Sequence, residues 1–521
     1  METPASTPLA RKGFFRRLFS WRTVRKVLFV LAALVTLGAL FIAEEDWRGA
    51  RAWQNYKRDM EAKGERFDAA RLIPPKVPDD QNFAMTPFLA PIFDLPPELL
   101  RQAPKLVTNM AQGEAVVEEE MDTHRGRSLE PHLPDSVILP RRFTWQYGLA
   151  SDLILWAKGL RGTNSATPPA PITDPVQAAS LVLESLKPFE PTLAELQSAS
   201  ARPFCRFNIP YEEWDNPHVQ SALVEHFDIT RRLARVLTLH AESEMVLGRT
   251  DQALQDILLM FRVDDGVKDE PFLLSQLVLH ACLTTMLQSV GEGLAEGRWS
   301  EAQLQVLQTR LQKTDLIAAT VQAWYGERDI CNNLKYNQGS IYITPRGWDR
   351  VEQLNVNRAF QEMVFPRIDL TARKINPSVN HSMDLAFPKS YAVGFSAFLH
   401  HNIMAAMLIP ALVRVPQKTA LAQSEVDMAM VACALERYRL ALGQYPETLN
   451  ALVPRFAAVL PHDIINGQPL TYRRTDNGNF ILYSVGWNEK DDGGVVAKMK
   501  GNPDRQDVLQ GDWVWQYPEE H

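Results

Sequence analysis

The chain has 521 residues, 45% of them hydrophobic and 22% charged, and a formal net charge of −7. That length exceeds one ordinary core, and a norm of about 150 residues per domain points to two to four folding units. The first 26 residues carry seven basic groups against one acid, so they are +6 and the remainder is −13; a body so acidic repels phosphate, which excludes general nucleic-acid binding.

Residues 1–26 form a basic leader. Val27 to Ala43 (VLFVLAALVTLGALFIA) is free of charge, and 17 residues of helix reach about 26 Å, the short end of a bilayer crossing. Basic residues before the run and Glu44, Glu45 and Asp46 after it place the N-terminus in the cytoplasm and the bulk outside. A cleaved signal peptide is the competing reading, but the leader is long and Phe41 with Ala43 makes no A-x-A site. Cys205, Cys282, Cys331 and Cys433 show no metal-knuckle spacing and are expected as thiols.

Residues 44–172 should hold a helical stalk and then an extended region. Trp47, Ala50, Trp53, Tyr56 and Met60 recur at helical steps up to Gly64, after which frequent prolines exclude long helices until Tyr147–Leu160. A helical-hairpin body, similar to tetratricopeptide hairpins at Leu247–Leu254, should fill 173–415. Asp174-Pro175 starts a helix there, a run from His218 to Leu247 ends at Gly248, and Thr250 caps the next run. Pro271–Leu294 follows, and then Ser300 with Gln303 in a capping-box pattern. Ala392 to Val413 is a second charge-free run, but His400, His401 and Asn402 within it favour a core helix over a second span. Thr419 should cap a last helix whose stripe of Leu421, Met428, Val431, Leu435, Tyr438 and Leu442 stops at Gly443.

Residues 416–521 should fold as a small α+β domain. Asn477-Gly478 marks a hairpin turn between Leu470–Tyr472 and Phe480–Ser484, and Trp513 and Trp515 alternate in a final strand. The fold class is therefore mainly α, with a small antiparallel sheet at the C-terminus. The stretches ALERYRLALGQYPETLNALV (Ala434 to Val453) and YSVGWNEKDDGG (Tyr483 to Gly494) resemble the globular domain of the major pseudopilin of type II secretion systems, over about a fifth of the chain. The remainder is similar to large membrane-anchored bacterial envelope proteins without assigned chemistry.

That resemblance implies a calcium loop, with Asp491 and Asp492 as ligands and Asp507 at the position of a later acidic one; a solvated turn is the alternative. No prepilin-peptidase site precedes Ala392, so shared architecture is implied and shared polymerisation is not. No catalytic constellation is read from the sequence. His240 with Glu244, near Glu242, has the i, i+4 spacing of metal ligands or of an ion pair, while the adjacent His400-His401 pair points about 100° apart. His462-Asp463 and His381 with Asp384 each put a base near a carboxylate without a nucleophile motif. Gly291, Gly293 and Gly297 miss phosphate-loop spacings, and Trp513, Trp515 and Tyr517 fit a ligand platform less well than a core.

The expectation is a single-pass protein of the inner (cytoplasmic) membrane with its bulk periplasmic or otherwise extracytoplasmic. It would act through contacts with the membrane and other envelope proteins in a secretion- or pilus-like assembly, with calcium as the expected cofactor. A metal-assisted hydrolase using His240, Glu244 or the His400 pair is the alternative, and a ligand-binding module is a third reading.

Overall fold

A computed structural model describes residues 21–95, 151–160, 172–213, 217–333, 345–385, 401–515 and 517. The molecule is mainly helical with a small α+β region at its C-terminus. Its contacts group into two units. One contains residues 1–67, 331–359 and 388–408; the other contains 68–330, 360–387 and 409–521.

In the first unit, helix α1 (Trp21–Glu61) is one continuous element of 41 residues, so the apolar run and the following amphipathic segment are not separate helices. The best apolar window has a mean hydropathy of 2.5 and is unburied, which is compatible with a single-pass membrane anchor. Residues 27–41 are exposed; Ile42, Glu45 and Asp46 are half-buried, and Gly49 is the first fully buried position. There α1 meets a helix of the same unit, Arg346–Ala359, named α10 below in chain order.

The second unit carries most of the core. Helix α2 (Leu153–Leu160) packs on α3 (Pro175–Leu186), whose first N–H groups, Val176 and Gln177, donate to the Asp174 carboxylate as the sequence predicts. Helix α4 (Glu190–Ala199) follows. The antiparallel pair α5 (Pro217–Val246) and α6 (Thr250–Val267) turns at Gly248, whose φ of +77° suits glycine. Thr250 is not the cap expected of it: Arg249 holds the N-cap position, and Thr250 accepts from Gln303 Nε2 at 3.3 Å. Helix α7 (Leu273–Ala295) is long and apolar enough to span a bilayer, yet two thirds of its apolar window is buried, against α5, α6 and the later helix Val415–Leu442. Ser300 and Gln303 form the predicted capping box of α8 (Glu301–Leu311), and α9 (Leu316–Asn333) comes next.

After α10 and α11 (Pro377–Leu385), the sequence expectation of one helix from Ala392 to Val413 needs correction. Residues 386–400 lie outside the described part. His401 has a φ of +51°, and helix α12 spans only Ile403–Leu412. The reason is a tertiary cap: Glu352 on α10 accepts from Ile403 N at 2.9 Å and Met404 N at 3.3 Å, and so fixes a helix start where hydropathy showed none.

Helix α13 (Val415–Leu442) also departs from expectation. It starts at Val415 rather than at Thr419, and from Thr419 to Glu436 nearly every residue is buried, not one stripe alone. Helices α7 and α8 and two strands of the C-terminal sheet surround it. Three of its buried polar residues have individual partners: Gln423 accepts from Leu316 N at 2.8 Å, Glu425 from Thr284 Oγ1 at 2.8 Å, and Glu436 from Tyr445 at 2.8 Å. Gly443, at φ +81°, ends the helix as the sequence predicts.

The sheet is antiparallel in the order β1 (Thr471–Arg474), β2 (Phe480–Ser484), β5 (Trp513–Trp515). The predicted Asn477-Gly478 turn joins β1 to β2. A second ribbon, β3 (Val496–Met499) with β4 (Asn502–Gly511), was not legible in the sequence. The four cysteines form no disulfide with one another.

Candidate functional site

The loop from Val485 to Gly494 leaves β2 and returns past the start of β5, and it is closed by carboxylates from outside it. Asp512, fully buried just before β5, accepts from Asp492 N at 3.2 Å and from Gly494 N at 2.7 Å. Asp463, also buried, accepts from Ser484 Oγ at 2.9 Å, Val485 N at 3.0 Å and Ile465 N at 2.9 Å. Gly486 approaches the opposite chain so closely that a Cβ would lie 2.4 Å from the Gly511 oxygen, and its φ of +68° is left-handed.

Asp491 and Asp492 lie together on this loop. Asp491 Oδ1 accepts from Tyr483 at 2.8 Å and Gly493 N at 2.9 Å, and Asp492 Oδ2 accepts from Asn488 Nδ2 at 2.7 Å. Asp507 stands in β4, where its carboxylate accepts from Leu509 N at 3.1 Å. Among the described residues, no group of three or more His, Cys, Asp or Glu side chains is gathered as metal ligands would be. The acid that closes the loop is Asp512, missed because it sits directly before the Trp513–Trp515 strand and has no motif of its own. Burial pushes its carboxyl above the usual range, and the charges of Asp491 and Asp492 add to the rise, against the lowering effect of the two N–H groups.

The other sequence candidates resolve into separate structural roles. His240 Nδ1 lies 2.7 Å from Asp256 Oδ2 on α6, and its Nε2 lies 3.8 Å from Glu244 Oε1, which in turn is paired with Arg249. Burial disfavours the imidazolium, but the Asp256 hydrogen bond and the charges of Asp256, Glu244 and Glu190 outweigh it and raise the pKa. Asp256 was not predicted, since sixteen residues separate it from His240. Glu242 turns elsewhere: it accepts from Ser289 Oγ at 3.3 Å, near Glu292, and burial raises it well above the carboxylate range.

His400 lies outside the described residues, while His401 rests on Trp348 with ring centroids 4.9 Å apart. His462 Nε2 is 3.1 Å from the Arg373 oxygen, and Asp463 bonds to the loop instead of orienting it. Asp384 accepts from Arg367 Nη2 at 2.8 Å. Gly293 gives room to the Trp299 indole, Gly297 ends the helical turn with φ +63°, and Trp513 and Trp515 are core residues rather than a platform. No family model matches the chain, and no curated protein or solved structure matches it either.

Proposed function

We propose that the protein is a membrane-anchored extracytoplasmic scaffold that acts through contacts with other envelope proteins, in a secretion- or pilus-like assembly. The observation that carries this reading is the bare apolar half of α1, which runs without a break into a helix packed against folded protein. The C-terminal module adds to it: α13 backed by the β1-β2-β5 sheet, with its closed loop, follows the element order from which the pseudopilin resemblance was drawn.

Calcium belongs to the same proposal. Asp491 and Asp492 on the loop, with buried Asp512 behind it, concentrate negative charge that a hard cation would offset. Millimolar calcium should then raise the melting temperature of the full chain, and Asp491→Asn with Asp492→Asn should abolish the rise; a wild-type protein indifferent to calcium removes the metal from the proposal.

Photo-crosslinking from Val459 and Val495, exposed apolar positions of the C-terminal module, tests the contact role in the native envelope. Discrete adducts with other envelope proteins are expected. If neither position gives an adduct and the purified protein carries a stoichiometric transition metal, the hydrolase reading takes precedence.

A further inference from the structure

We propose that Trp348, at the start of α10 and some 300 residues from the anchor in sequence, stands with Trp47 in the headgroup layer of the bilayer, so that α10 gives the protein a second point of membrane contact. This rests on reading α1 as a membrane anchor.

Three observations within the first unit carry it. Residues 27–41 of α1 are exposed throughout, so α10 cannot run back along them; it lies beside the helix from Glu45 onward, starting where the apolar run stops. Its start is fixed there by two hydrogen bonds: Gly347 N donates to Asp46 Oδ1 at 2.8 Å, and Trp348 Nε1 donates to Glu45 Oε2 at 3.1 Å. The two helices also cross at a glycine pair, where a Cβ on Gly49 would lie 2.1 Å from the Gly347 oxygen.

Glu45 is two residues beyond Ala43, so the bond to Trp348 lies about 3 Å past the charge-free run along the helix. The interfacial layer of each leaflet is about 5–7 Å deep, and it is where indole rings, apolar in body with one N–H donor, are favoured. Trp47, 60% exposed, is at the same level with the Arg51 guanidinium 5.3 Å from its ring. Around the pair, Glu44, Glu45, Asp46 and Asp349 are matched by Arg48, Arg51, Arg346 and Arg350, so the contact should not require anionic lipid.

The test uses the full chain reconstituted in phosphatidylcholine vesicles whose acyl chains are brominated either near the headgroup or near the tail. Tryptophan emission is compared among wild type, Trp348→Phe, Trp47→Phe and Trp299→Phe, the last removing a fully buried indole of the helical body. The emission attributed to Trp348 should be quenched at least about twofold more by shallow bromines than that of Trp299, with no change when anionic lipid is added. Quenching at Trp47 without quenching at Trp348 overturns the inference alone. Absence of quenching at both Trp47 and Trp21, the latter read from an added Trp21→Phe variant, overturns the anchor reading beneath it. If Trp348→Phe does not fold, a nitroxide on Arg350→Cys reports the same contact: oxygen accessibility that rises on reconstitution supports it, and accessibility unchanged from detergent refutes it.

Discussion

Replacing Gly49 with alanine should loosen α10 from α1 without disturbing either helix by itself. The added methyl would sit 2.1 Å from the Gly347 oxygen and 2.6 Å from its carbon and Cα, all backbone atoms that cannot swing aside. To reach ordinary contact near 3.4 Å the helices must separate by more than 1 Å, which stretches the Asp46–Gly347 and Glu45–Trp348 bonds beyond hydrogen-bond range. Each bond involves a carboxylate and stabilises by about 1.5–3 kcal/mol, toward the lower end at a partly wet site. Alanine recovers up to about 1 kcal/mol of helix propensity. The net loss is about 2–3 kcal/mol, so amide hydrogen exchange over Arg346–Ala359 in the full chain should accelerate roughly 30- to 140-fold at 1.4 kcal/mol per decade. Gly38→Ala is the control, since nothing lies within 4 Å of its added methyl and only the propensity gain applies. Equal exchange in wild type and Gly49→Ala would refute the close crossing of the two helices.

Asp427 is buried in α13, and burial pushes its carboxyl up to about 6; Arg373 is 3.8 Å away and offsets this only in part. A raised carboxyl favours the folded state below the ordinary value of 3.8 and loses that contribution as pH rises through 6. Asp427→Asn should therefore stabilise the protein by about 1–3 kcal/mol at pH 7.5 and have little effect near pH 4, read from urea midpoints at the two pH values. His240 carries the same sign by a different route: its raised pKa contributes stability present below 6.5 and lost as pH climbs above the raised value. His240→Gln should flatten the melting-temperature profile between pH 6 and 8, and an unchanged profile would show that the Asp256 pair carries no proton-linked stability. Asp463→Ala strands three donors, Ile465 N, Val485 N and Ser484 Oγ, and should cost about 3 kcal/mol; the near-ultraviolet signal of buried Trp513 and Trp515 should melt at lower temperature.

What the sequence disclosed was local. The Asp174 cap, the Ser300–Gln303 box, the Gly248 and Gly443 stops and the Asn477-Gly478 turn are set by residues within a few positions of one another, and each stands where expected. What it concealed was set by distant partners. Glu352 starts α12 from fifty residues away, Asp256 orients His240 from the next helix, and Asp512 closes a loop whose own acids drew attention first. Helix α13 shows the same limit: its heptad-like stripe identified one buried face, but the helix is enclosed on the others too, and its Gln423, Glu425 and Glu436 are tolerated inside because α7, α9 and the Gly443–Pro446 turn supply their partners. Hydropathy alone also ranks α7 with α1 as a span, and only burial separates them.

The central claim is that α1 holds the acidic bulk of the chain outside the cytoplasm. Protease accessibility of tags placed at both ends of the full chain, in intact cells whose outer barrier has been opened, tests it directly. The account predicts digestion of the C-terminal tag and protection of the N-terminal one. Protection of both tags until the inner membrane is lysed, or recovery of the whole protein in the soluble cytosolic fraction, would contradict it.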